Sequence, residues 1–135
     1  MIKVGCCGFP VRREMYYRMF QVVEIQQTFY QLPQLSTGRR WREESPLNFE
    51  FTMKAWQLIT HEPSSPTYRR LRLKIPEKKE KAYGFFKRTE EVEGAWIRTV
   101  EFALELGVEK IVFQSPASFY PSDEHIQNLK EFFKK

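Results

Sequence analysis

The sequence predicts an α/β protein built of parallel βα units, and two observations carry that prediction. Apolar runs of strand length alternate with segments of helical period, so a helix and not a hairpin separates each strand from the next. Read with period two, the strands also show one apolar and one polar face. The first strand is the apolar run 2–8, stopped by Gly8 and Pro10. Residues 11–20 form a short helix with Val11, Met15 and Met19 on one stripe. Residues 21–29, β-branched at the start, make the second strand, and Pro33 breaks it. Thr37 caps a helix that runs through Glu44 and ends before Pro46. Residues 48–56 alternate cleanly and form the third strand. A long loop leads to the strongest helix, 90–106. There Val92, Ala95, Trp96, Thr99, Val100, Ala103, Leu104 and Leu106 recur at helical spacing, and Gly107 is the C-cap. The fourth strand is 110–114, ended by Pro116. A last amphipathic helix starts at Asp123 and carries Ile126, Leu129, Phe132 and Phe133.

The chain of 135 residues fits one domain, 1–135, and its 41% hydrophobic and 29% charged residues describe a globular protein. Its longest charge-free stretch, residues 25–38, is polar in parts and contains Pro33. A membrane span needs about 20 apolar residues. Residues 1–10 lack a basic-then-apolar signal pattern, so a soluble cytoplasmic protein is expected. Adjacent Cys6 and Cys7 point to opposite faces of a strand and read as buried, unbridged residues of a reducing compartment. No Gly-rich phosphate loop, HExxH, GxSxG or metal-ligand spacing occurs, so no metal is expected and the cofactor stays unknown.

Charge is local. Nine basic residues (Arg69, Arg70, Arg72, Lys74, Lys78, Lys79, Lys81, Lys87, Arg88) stand against Glu77 and Glu80, in a chain whose net charge is only +5. Such a run suits phosphate or nucleic-acid contact, or is simply a solvated loop.

The polar strand faces carry the functional argument. Glu24, Gln26 and Thr28 oppose Val23, Ile25 and Phe29. Glu50, Thr52, Lys54 and Trp56 oppose Phe49, Phe51, Met53 and Ala55. Val112 and Gln114 oppose Ile111 and Phe113. Helices would cover the apolar faces, whereas Glu24, Gln26, Lys54 and Gln114 are costly to bury without partners. A doubly wound sheet should show apolar runs instead, so the pattern fits a barrel with a site at the C-terminal strand ends. Glu24, Lys54 and His61 are the candidate catalytic residues. Lys54 beside Glu24 could polarise a carbonyl, bind phosphate or move a proton, or the two could merely satisfy each other. His61 is an acid/base candidate or a loop residue bonded to backbone. His125, in the last helix, reads as a surface residue.

The same residues resemble a known family. Gly5-Cys6-Cys7-Gly8-Phe9, then Val23 to Tyr30 with Leu32-Pro33, are similar to the opening of the YecE-like family, catalogued as domain of unknown function 72. Trp41-Arg42-Glu43-Glu44-Ser45-Pro46, Phe49 to Ala55 and Ile59-Thr60-His61 resemble its next block, and Phe113-Gln114-Ser115-Pro116-Ala117-Ser118-Phe119 a later one. The resemblance implies a TIM-type (β/α) barrel without an established activity. It places Glu24, Thr28, Phe29, Tyr30, Lys54, His61 and Gln114 around the barrel mouth.

A complete barrel takes about 250 residues, so the chain corresponds to the N-terminal half, about four βα units. The expected function is an enzyme-like half barrel that takes a small polar or phosphorylated ligand, with Gln26, Thr28, Tyr30 and Gln114 as ligand contacts. A homodimer or a separate chain would supply the second half. The alternatives are a non-catalytic nucleic-acid-binding or scaffold protein using segment 69–88, or an inactive truncated product.

Overall fold

Four strands, β1 (Gly5–Cys7), β2 (Val22–Ile25), β3 (Glu50–Lys54) and β4 (Lys110–Val112), pair in parallel in the order of the sequence. The computed structural model describes residues 1–134. α1 (Arg13–Met19) links β1 to β2, and α2 (Gln27–Tyr30) with α3 (Leu35–Glu44) links β2 to β3. β3 leads through α4 (Gln57–Thr60), a long segment and α5 (Glu90–Leu106) to β4, and α6 (Asp123–Phe132) follows.

Register fixes which side chains share a face. Cys7, Glu24, Thr52 and Lys110 lie in one row, and Lys54 pairs with Val112 in the next. The alternate residues Val23, Ile25, Phe51 and Met53 are buried in one cluster with Tyr16 of α1, Trp41 of α3, Phe102 of α5 and Phe132 of α6. The helices therefore cover one face of the sheet. Along the other face Glu24, Glu50, Thr52 and Lys54 are half-buried, and Cys7, Lys110 and Val112 are exposed.

Local chemistry explains the pieces. Buried Tyr16 ties the first two strands together: its hydroxyl accepts from the Cys6 N–H at 2.6 Å and donates to the Val22 carbonyl at 2.9 Å. α5 has the predicted bounds. Thr89 caps it by accepting from the Val92 N–H, and Gly107 ends it with φ +71°. Gly38 lets α3 approach α5, since a Cβ there would meet Phe102 at 3.0 Å.

Several elements differ from the sequence reading. β2 stops at Ile25, and Gln27–Tyr30 turns into a helix, so Thr28 and Phe29 are both buried instead of alternating. α3 begins at Leu35, ahead of the expected Thr37 cap. The stripe Val11, Met15, Met19 is exposed, because the residue facing the sheet is Tyr16, held by β1 and β2 backbone. Leu104 is 74% exposed, while Phe102 is fully buried. Trp56 lies beyond the end of β3, so it leaves the polar face, buried with the Arg98 guanidinium 4.9 Å from its ring. Cys6 is half-buried and Cys7 exposed, since β1 is an edge strand and Cys7 sits on the uncovered face. His125 is buried, not on the surface: it stacks on Phe119 at 4.8 Å, and its Nδ1 lies 2.8 Å from the Tyr120 carbonyl. The basic segment contains two short 3₁₀ helices, Pro66–Arg70 and Glu77–Ala82. Lys79 pairs with Glu91 and Lys87 with Glu62.

Candidate functional site

The uncovered face carries the last residue of β3, Lys54, and the next-to-last of β2, Glu24, which period-two alternation sends to the same side. Lys54 stands one pleat repeat beyond Glu24 on the neighbouring strand, since Glu24 pairs with Thr52. Each has a neutral partner. The Gln26 carboxamide donates to Glu24, and the Lys54 ammonium donates to Gln114 Oε1 at 2.5 Å. The Cys7 thiol lies 3.8 Å from Glu24 Oε1. Among the described residues Glu24 and Lys54 form no ion pair, so both charges face the open side held by amides. This arrangement offers one ammonium, one carboxylate, one thiol and two carboxamides, a set suited to hydroxyl and carbonyl groups.

The other predicted residues stand behind or beside this cluster. Thr28 is fully buried, and its hydroxyl reaches the Lys54 carbonyl at 2.7 Å and the Ile25 carbonyl at 3.2 Å. It locks α2 to the end of β3. His61, 5% exposed, lies edge-on to Phe29 at 5.0 Å, with Nδ1 2.8 Å from Thr60 Oγ1. Its carbonyl accepts from the Tyr68 hydroxyl at 2.7 Å. Burial pushes the His61 imidazole below its ordinary value, so it is held neutral. The structure thus joins Glu24 to Gln26 and Lys54 to Gln114, sets Thr28 against the Lys54 backbone, and buries His61 among Phe29, Thr60 and Tyr68, out of contact with these four.

Tyr30 lies on the rim, under the Arg70 guanidinium, which stacks 3.7 Å from its ring centroid. The two residues border a cleft of about 540 Å³ that Gly8, Arg12, Gln26 and Trp41 also line. Gln26 belongs to both places, so the cleft adjoins the open face. At the N-terminal end of the same face Glu50 bridges Lys3 at 2.7 Å and Lys110 at 2.5 Å, and these bonds hold its carboxyl below the usual range.

Sequence reading placed Glu50 on the polar face through the alternation of β3 but gave it no partner. It missed Arg12, Arg70 and Trp41 as rim residues. No local spacing links Arg70 to Tyr30, which only the docking of the 3₁₀ helix Pro66–Arg70 against α2 brings together.

Among the described residues no group of three or more metal-ligating side chains forms. No helix among them is long and apolar enough to cross a membrane. Comparison with curated proteins and with solved structures returns no match. The profile of a family described as "Protein of unknown function DUF72" matches residues 10–135. With nearly the whole sequence matched, including Glu24 of β2, Lys54 of β3 and Gln114, which lies two residues past the end of β4 and not in the strand expected over 110–114, the chain belongs to the DUF72 family.

Proposed function

We propose that the chain is half of a (β/α) barrel and that its uncovered polar face, completed by a second copy, binds a small polar, phosphorylated ligand at the C-terminal strand ends. The bare face carries this reading. Parallel sheets ordinarily have both faces covered, yet here one side holds Glu24, Thr52 and Lys54 half-buried beside exposed Cys7 and Val112. The unreversed strand order suits a barrel wall, since a doubly wound sheet reverses at its switch point. β1 and β4 each leave a row of backbone groups unpaired at a sheet edge, and a two-fold copy would pair both edges at once.

In this reading Lys54 contacts a ligand carbonyl or hydroxyl and Glu24 accepts a proton or hydrogen bond from it. Gln114 and Gln26 orient those two groups. His61 and Thr28 hold the wall. Calorimetry with glycerol 3-phosphate as the probe tests it: binding should weaken about tenfold or more in Lys54→Ala and Glu24→Ala, each of which deletes a charged contact. Unchanged affinity in both variants overturns the reading. Light scattering should give twice the chain mass of 16.3 kDa, and a monodisperse species of 16.3 kDa overturns closure by a second copy.

The exposed Arg69, Arg72, Lys74, Lys78, Lys81 and Arg88 favour a second reading, contact with a nucleic-acid backbone. Salt-dependent DNA or RNA binding, lost on neutralising Arg69, Arg70 and Arg72, would support it.

A further inference from the structure

We propose that the rim cleft beside the open face is an anion site in which Arg12 and Arg70 hold the phosphate of a phosphomonoester against a wall that includes Trp41. The inference rests on the ligand reading above and assigns the phosphate to residues that reading does not use.

Charge balance at the cleft is the first observation. Arg13, also in its wall, is satisfied by Glu44 through two hydrogen bonds, at 3.1 and 2.7 Å. Arg12 and Arg70 have no carboxylate within ion-pair distance among the described residues, so the cleft keeps uncompensated positive charge. The second observation is orientation. The Arg70 guanidinium carbon sits over the Tyr30 ring, 3.7 Å from its centroid, and this cation–π contact holds the group at the cleft wall. A preoriented fork loses little side-chain entropy when an oxyanion docks on it.

The third observation is independent of charge. Trp41, 7% exposed, lines the cleft, and its indole Nε1–H is buried with no hydrogen-bond partner among the described residues. Because its residue lines the cleft, the chemical shift of this N–H reports an anion seated there. Gln26 connects the two places. Its amide donates to Glu24 while the residue lines the cleft, so a phosphate here puts the rest of a small ligand within reach of Glu24 and Lys54. Gly8 leaves room at the junction: a Cβ there would come no closer than 4.0 Å to Gln26.

The test is a ¹H–¹⁵N NMR titration of the full chain with inorganic phosphate, glycerol 3-phosphate and glycerol. One of the three tryptophan indole signals, assigned by its loss in Trp41→Phe, should move with both phosphates and stay fixed with glycerol. Arg12→Gln and Arg70→Gln should each weaken inorganic phosphate about tenfold, the loss of one charge-assisted hydrogen bond. Lys54→Ala should leave inorganic phosphate unaffected and weaken only the phosphomonoester. If glycerol 3-phosphate binding depends on Lys54 but not on Arg12 or Arg70, the anion site is overturned and the open-face reading stands. If phosphate depends on the arginines and Lys54→Ala changes nothing, the anion site stands and the open-face reading fails. A Trp41 signal unmoved by either phosphate refutes the anion site.

Discussion

Replacing Thr28 by Val separates a wall residue from a ligand contact. The side chain is fully buried and its hydroxyl donates to the Lys54 carbonyl at 2.7 Å, with the Ile25 carbonyl a second acceptor at 3.2 Å. Val matches its shape, so no cavity opens. The partly buried carbonyl loses its donor, which costs about 1–3 kcal/mol. For a chain between the small and large domain classes, about 4 °C of Tm accompanies each kcal/mol, so Thr28→Val should melt about 4–12 °C lower. Thermal unfolding followed by circular dichroism reads this directly, and urea unfolding should show a lower midpoint at an unchanged slope. Thr28→Ser, which keeps the donor, should recover most of the loss. A Tm within about 2 °C of wild type, under the ±0.5 kcal/mol of an ordinary surface change, would refute the reasoning. A variant of unchanged stability that no longer bound glycerol 3-phosphate would make Thr28 a ligand contact instead.

Two glycines should respond with opposite sign. Gly84→Ala places a methyl 2.5 Å from the His61 carbonyl at φ +80° and should destabilise by about 2 kcal/mol or more, whereas Gly94→Ala in α5 meets nothing within 4 Å and should stabilise by about 0.5–1 kcal/mol; urea midpoints of the two variants decide. His61 should make the fold acid-sensitive. Its folded-state value lies below the ordinary 6.5, so the unfolded chain binds more protons there and stability falls as pH drops through 6.5 toward the folded value. Melting curves between pH 8 and 5 should show that slope, and His61→Gln should flatten it.

The order of strands and helices was legible because periodicity needs only local sequence. α5 combines Thr89, a long apolar stripe and Gly107, three signals that agree, and its bounds match the prediction. Elements governed by tertiary contact were not legible. Gln21 to Phe29 reads as one strand, yet Thr28 turns inward to bond the Lys54 carbonyl, a residue 26 positions away. The α1 stripe misleads in the same way, since Tyr16 reaches backbone of two strands and rotates the helix. At the site, alternation put Glu24 and Lys54 on one face and left open whether they pair with each other. Gln26 and Gln114 take those hydrogen bonds, a choice set by strand-end geometry that spacing does not encode. Leu104 and Phe102 differ by two positions in the same helix, and it is Phe102 that packs against Gly38 of α3 while Leu104 is exposed.

Cys7 reports on the uncovered face most directly, because its thiol is exposed there, 3.8 Å from Glu24, while Cys6 points into the covered side. The measurement is the alkylation rate of each cysteine by iodoacetamide, followed by mass spectrometry with and without saturating glycerol 3-phosphate. If this face is the ligand site, the phosphomonoester slows modification of Cys7 several-fold and leaves Cys6 unchanged. Equal Cys7 rates with and without the bound ligand would contradict it.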